Sequence, residues 1–188
     1  MPVTAEWLPG VVQCPSPHCN DRPDPLDISL LVIHNISLPP GQFGGGHVQA
    51  FFRGELDAAE HPYFAQIADL RVSAHFLISR AGEVTQFVPC RQRAWHAGRS
   101  SYAGRAECND YSIGIELEGT DETPYSDQQY MALRQLTLQL QQLYPAITRQ
   151  RITGHEFIAP GRKTDPGPAF DWGRYLRSLL PDPTRTLT

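Results

Sequence analysis

LDISLLVIHNI, from Leu26 to Ile36, is a leucine-rich, β-branched run with little polar interruption. A run of this kind reads as a central strand buried on both faces, the sort found in parallel or mixed sheets covered by helices. Pro39, Pro40 and the glycines of PPGQFGGG end it. His34 lies at the apolar strand's end, where a side chain projects at the rim of a sheet and active sites are commonly assembled. The alternative reading is a hydrogen-bonded histidine that caps the strand.

Working outward, HVQAFFRG and HPYFAQIADL carry short helical periods, and SAHFLISRAGEVTQFVP reads as a hairpin turning at Arg80 to Glu83. YSIGIELEG predicts a second strand, with Ile113, Ile115 and Leu117 on one face and Gly114, Glu116 and Glu118 on the other. Ser126 and Gln129 form a capping box before SDQQYMALRQLTLQLQQLYP, a helix whose apolar stripe runs through Tyr130, Leu133, Leu136, Leu140 and Leu143 until Pro145 stops it. RITG is a short strand leading into GHEFIAPGRKTDPGPAFDW, Gly154 to Trp172, read as a rigid loop without helical or strand period. FDWGRYLRSLL closes as a helix capped by Asp171, and the tail PDPTRTLT is expected to fray. With no internal repeat and no low-complexity linker, the expectation is one α+β domain over residues 1–188, its core at about 7–180 and its central mixed sheet flanked by helices.

A chain of 188 residues can bury one substantial core. Its formal net charge of -4 supplies no electrostatic reason to expect nucleic acid or an anionic membrane as partner. No apolar run approaches the roughly 20 residues of a membrane span, and the N-terminus lacks the basic and apolar regions of a secretory signal. Cys14, Cys19, Cys90 and Cys108 form no CxxC pair and are expected to be reduced thiols, so the cytoplasm is the expected location. Cys14, His18 and Cys19 could form part of a metal site, but no fourth ligand accompanies them. No obligate protein partner is indicated.

Chemistry concentrates in the loop after RITG. His155 follows Gly154, and Asp165 comes ten positions later, ahead of Pro166, Gly167 and Pro168. With His34, two imidazoles and a carboxylate suit zinc with one position open for water, and a proline-stiffened backbone is the support a ligand needs. The alternative reading of Asp165 is an aspartate that opens a proline turn. Lys163, the only lysine in the chain, could stabilise an oxyanion or be a solvated loop residue. Glu116 stands in a strand, where a carboxylate is costly without water, a partner or a metal site. It could shuttle a proton, or be a polar face residue like Glu118.

VIHNISLPPGQFGG, LRVSAHFLISRAGEVTQFVP, RAWHAG, CNDYSIGIELEGTD and TGHEFIAPGRKTDPGPAFDW together resemble the AmpD-type N-acetylmuramoyl-L-alanine amidases. These belong to the zinc amidase family that includes phage T7 lysozyme and the peptidoglycan recognition proteins, and the likeness runs from about Trp7 to about Leu176. It implies a zinc-amidase fold, with a zinc ion held by His34, His155 and Asp165 in a groove across the sheet. It also implies Glu116 as general base and acid and Lys163 as stabilising cation. The implied reaction is hydrolysis of the amide between the lactyl group of an anhydro-muramic sugar and L-alanine, in cytoplasmic cell-wall recycling, so the expected partner is an anhydro-muropeptide substrate. Relatives often carry tyrosine where this chain has Ala74, which implies that Glu116 takes that part here and that His75 is structural. Trp95 could stack on the sugar, Asn35 could bind the L-alanine backbone, and Arg71 and Arg162 could pair with stem-peptide carboxylates. A non-catalytic peptidoglycan-binding module is the main rival class. A zinc peptidase is disfavoured because HExxH is absent.

Overall fold

The computed structural model describes residues 7–181, so the tail expected to fray lies outside the described residues apart from Pro181. The strands are β1 Val12–Gln13, β2 Cys19–Asp21, β3 Leu30–Ile36, β4 Phe76–Ile78, β5 Val84–Gln86, β6 Gln92–Ala94, β7 Ser101–Tyr102, β8 Arg105–Ala106, β9 Ser112–Glu118 and β10 Ile152–Gly154. The helices are α1 His47–Arg53, α2 Phe64–Ile67, α3 Asp127–Leu143, α4 His155–Ile158 and α5 Trp172–Ser178. Six strands form one mixed sheet in the order β1-β5-β4-β9-β3-β10. All neighbours are parallel except the β4–β5 hairpin, whose register pairs Phe76 with Gln86. The fold is α+β, a mixed central sheet flanked by helices.

Alternation along the two central strands divides the molecule. Leu31, Ile33, Ile113, Ile115 and Leu117 turn to one face and pack against Leu133, Leu136 and Leu140 of α3 and Tyr175 of α5. Leu30 and Val32 turn to the other face, and so do His34, Gly114 and Glu116. Ser126 caps α3 as its spacing predicts: its hydroxyl accepts from Gln129 N–H while the Gln129 side chain accepts from Ser126 N–H. Asp171 likewise caps α5 by accepting from Arg174 N–H at 2.8 Å.

Two boundaries differ from the sequence reading. The central strand begins at Leu30, not Leu26: Asp24 accepts from Leu26 N–H at 2.9 Å, an aspartate turn that leaves Leu26 82% exposed. The stretch after Gly154 is not all loop either, because His155–Ile158 forms a single helical turn that Ala159 N–H closes onto the His155 carbonyl.

A buried cation ties the shorter elements to the sheet. Arg22 is 4% exposed, and its guanidinium donates to the carbonyls of Ser112 at 2.7 Å, Asn109 and Asp110 at 3.1 Å, and Cys90 at 3.1 and 3.3 Å. Burial lowers its pKa to about 10, which leaves it charged at neutral pH. Beside it His75 accepts from Gly114 N–H at 3.1 Å through Nδ1, so its other nitrogen carries the proton and donates to Gln92 O at 3.0 Å. Burial, then the Arg22 charge, push the His75 pKa down to about 3, so the ring is neutral. Replacing Arg22 with methionine should strand several buried carbonyls and cost on the order of 3 kcal/mol or more. Denaturant titration measures this; a loss below about 1 kcal/mol would mean that water satisfies those carbonyls equally well.

Candidate metal centre

Parallel pairing brings the site together from distant parts of the chain. In the β3–β9 register His34 stands beside Glu116, and in the β3–β10 register Gly154 stands beside Ile33, which sets His155 next to His34. Asp165 arrives on the returning loop, whose carbonyl accepts from Glu156 N–H at 2.9 Å. The following turn is fastened by Tyr125 Oη and Asn35 Nδ2 donating to Pro166 O at 2.8 and 3.2 Å, and by Ala169 N–H donating to Asp121 O at 2.9 Å. Gly167, at φ 78°, lies so close to Asp121 that a Cβ would come within 2.4 Å of its Cα.

The three side chains meet at a point. His34 Nδ1 lies 2.9 Å from His155 Nδ1 and 3.0 Å from Asp165 Oδ2, and His155 Nδ1 lies 3.1 Å from the same oxygen. His155 Nε2 is 3.1 Å from Ala97 O, which can only accept, so the ring proton sits on Nε2 and Nδ1 presents a lone pair. Three electron-pair donors therefore crowd one spot, an arrangement that requires a shared proton or a cation between them. Among the described residues this is the group that could hold a metal ion, its ligand atoms all within 4.8 Å of one another. Burial lowers the His34 pKa to about 4, so its ring is neutral. Burial alone would raise Asp165, but contact with His155 and His34 outweighs it and holds that carboxyl well below the usual range. One anion and two neutral imidazoles are a donor set that zinc accepts. Cys14, His18 and Cys19 form no such cluster: His18 Nδ1 lies 3.1 Å from Val72 O, and Cys19 Sγ donates to Gln92 at 3.3 Å.

The two carboxylates of β9 part company here. Glu118 accepts from Gly44 N–H and from Arg80 N–H, so it anchors the glycine-rich loop. Glu116 is 8% exposed, and its Oε2 has no hydrogen-bond partner. Burial, then the nearby Asp165 charge, raise its pKa well above the carboxylate range, and Lys163 pulls the other way. A buried carboxyl with an unpaired oxygen at the mouth of a groove is a group held ready for a proton.

A groove of about 380 Å³ runs over the site. Glu116, Lys163 and Trp95 line it together with the three clustered side chains, and Phe51, Phe52 and Tyr63 make one wall apolar. Lys163 is exposed. Trp95 stacks on His18 and donates to Asn20 Oδ1 at 2.6 Å. Asn35 also lines the groove, with its amide nitrogen given to Asp121 Oδ1 at 2.8 Å and to Pro166 O. Arg162 lines an adjoining cleft that shares Asn35, Lys163 and Asp165 with this groove, and it donates to Ala97 O and Arg99 O, both at 2.7 Å. Arg71 is exposed, between the groove-lining Leu70 and Val72.

Sequence reading assigned no part to His96, whose Nδ1 is 2.8 Å from His34 Nε2 and whose Nε2 is 3.1 Å from Ser112 Oγ. The contact spans 62 positions and leaves no local pattern. The one available signal was Gly114, since a lone glycine inside a strand marks a close approach. A Cβ there would lie 2.5 Å from the His96 ring.

The chain is similar to known proteins over most of its length. The N-acetylmuramoyl-L-alanine amidase family matches residues 24–168. The 1,6-anhydro-N-acetylmuramyl-L-alanine amidase AmpD of Haemophilus influenzae is 59% identical over 167 residues, covering 89% of this chain and 91% of its own. The crystal structure of a selenomethionine AmpD derivative matches with a TM-score of 0.91 at 57% identity, over 96% of this chain and 100% of that one. AmpDh3 from Pseudomonas aeruginosa, solved in complex with an anhydromuramic pentapeptide, matches with a TM-score of 0.64 at 29% identity, over 81% of this chain and 60% of its own.

His155→Ala removes one of the three donors and should weaken metal binding more than about a hundredfold, since partners outside the ligand set alone account for about 10–100-fold. Glu118→Gln, on the same face two residues from Glu116, should leave metal affinity unchanged. Chelator competition measures both, and equal effects from the two variants would show that the cluster is not what holds the metal.

Proposed function

Because the chain belongs to the N-acetylmuramoyl-L-alanine amidase family, we propose that it hydrolyses the amide joining the lactyl group of anhydro-N-acetylmuramic acid to the L-alanine of a stem peptide, in peptidoglycan recycling. The observation that carries this reading is the pairing of two unlike groups in one groove. Three electron-pair donors converge at its floor, and a carboxyl with an unpaired oxygen stands beside them.

A zinc ion held by His34, His155 and Asp165 would supply Lewis-acid polarisation of the scissile carbonyl and a water of lowered pKa. The chain's own groups do the rest. Glu116 takes the proton from the attacking water; burial raises its pKa above that of an ordinary carboxyl, which favours holding that proton until the leaving nitrogen needs it. Lys163, on the same groove, sets its ammonium against the oxygen that becomes negative as the carbonyl is attacked. Glu116 then returns its proton to the departing L-alanine nitrogen.

The apolar wall formed by Phe51, Phe52 and Tyr63, with the indole of Trp95, suits the face of a sugar ring. Asn35 serves the L-alanine end. Arg71 and Arg162 meet the acidic groups of the stem peptide; Arg162 does so from the adjoining cleft, where it also holds two carbonyls. The whole chain acts as one amidase domain. We place it in the cytoplasm, a reducing compartment that suits its four free cysteines.

Two measurements test the proposal. Mass spectrometry of a defined anhydro-muropeptide incubated with the protein should show intact anhydro-sugar and free stem peptide, lost on chelation and restored by zinc. Substrate bound but uncut by the zinc-loaded protein would make it a binding module. Glu116→Ala should lower turnover by about 10²–10⁴-fold while metal content stays constant. Full activity in that variant would remove Glu116 from the reaction.

A further inference from the structure

We propose that His96 and Ser112 form a tautomer switch behind His34, which lets the same buried side chains satisfy one another both with and without the metal. The proposal rests on the reading of His34 Nδ1 as a ligand atom. Its basis is a continuous chain of contacts: Asp165 Oδ2 to His34 Nδ1 at 3.0 Å, His34 Nε2 to His96 Nδ1 at 2.8 Å, and His96 Nε2 to Ser112 Oγ at 3.1 Å.

That chain admits two proton arrangements with neutral rings. Without metal, His34 Nδ1–H donates to Asp165, so His34 Nε2 must accept from His96 Nδ1–H, and His96 Nε2 must accept from the Ser112 hydroxyl. With metal, His34 Nδ1 gives up its proton and presents a lone pair. His34 Nε2–H then donates to His96 Nδ1, and His96 Nε2–H donates to Ser112 Oγ. Each ring carries one proton in both arrangements: one leaves Nδ1 and one arrives at Nε2, through water in the groove that both rings line. The hydroxyl keeps its proton and turns. No net charge moves, so the switch is not a titration.

The groups behind His34 and His155 differ in kind. His155 is held by Ala97 O, a partner that can only accept, so a single tautomer is permitted there. His34 Nε2 is held instead by His96, and His96 by Ser112, groups that can each either donate or accept. The fold makes room for this: Gly114 leaves open the space the His96 ring occupies, and His34 and His96 meet edge to face at 4.9 Å and 90°. A ring kept only to fill space would need neither Ser112 Oγ at one nitrogen nor His34 Nε2 at the other.

The experiment uses the full chain with ¹⁵N-labelled histidine at neutral pH. Two-bond nitrogen–proton correlations report which ring nitrogen of His96 carries the proton, before and after zinc is added and its uptake measured. The expected result is Nδ1–H without metal and Nε2–H with it. The same tautomer in both states would overturn the proposal although zinc binds. Failure to take up zinc would overturn the metal reading as well, so the two failures are distinguishable. Variants supply a second readout. His96→Phe should weaken zinc binding by about 10–100-fold, and His96→Asn, whose carboxamide can present either oxygen or NH₂ to His34, should recover most of it. A space-filling role predicts the reverse order, with phenylalanine the milder change, and that order would overturn the switch.

Discussion

In the pairing of Leu30–Ile36 with Ser112–Glu118, His34 stands beside Glu116 while Ile33 and Ile115 turn to the opposite face, and a slip of β3 by one residue would exchange the two faces along it. The wrong register would bury His34 under α3 and push Leu31 and Ile33 into the groove. The hydrophobic contacts of Leu133, Leu136 and Leu140 therefore do more than stabilise the core. They hold in alignment a histidine and a carboxylate 82 positions apart in the chain. The adjoining β10 pairing carries the same logic one strand further and delivers His155.

Polar groups buried behind this sheet are of two sorts, distinguished by whether their hydrogen bonds are complete. Arg22, His75 and Glu118 are buried and fully engaged with backbone groups, and they act as fasteners between segments far apart in sequence. Glu116 is buried with one oxygen unpaired, and beside it the nitrogens of His34 and His155 crowd one another and Asp165 Oδ2. An unpaired buried oxygen and crowded donors cost stability, so their persistence marks the place where a substrate and a metal would complete them. Burial alone would not make this distinction, since Glu116 and Glu118 are 8% and 7% exposed.

Rigidity around the third donor comes from packing as well as from proline. Phe170 sits among Tyr125, Tyr130, Trp172 and Tyr175, and two hydrogen bonds converge on the Pro166 carbonyl. The α3 and α5 faces that form the core thus also brace the loop bearing Asp165. The site and the core share their supports, which is the arrangement a preorganised centre requires.

The sequence by itself determined the central strand, the β4–β5 hairpin, the capped α3 helix and the cap of α5, because each is written in a local period or an interaction within four residues. It also brought His34, His155, Asp165, Glu116 and Lys163 forward, through their chemical types and their resemblance to a family. Tertiary structure decided the rest. Spacing left Glu116 and Glu118 equivalent, and only their surroundings, two amide donors for one and an unpaired oxygen for the other, separate them. Leu26 looked like strand until the Asp24 turn removed it. His96 carried no local signal, because its partner is 62 positions away and its space is made by a glycine on a third segment. Hydrogen-bond completeness is a property of neighbours in space, and neighbours of that kind are set by strand register and loop return, not by adjacency along the chain.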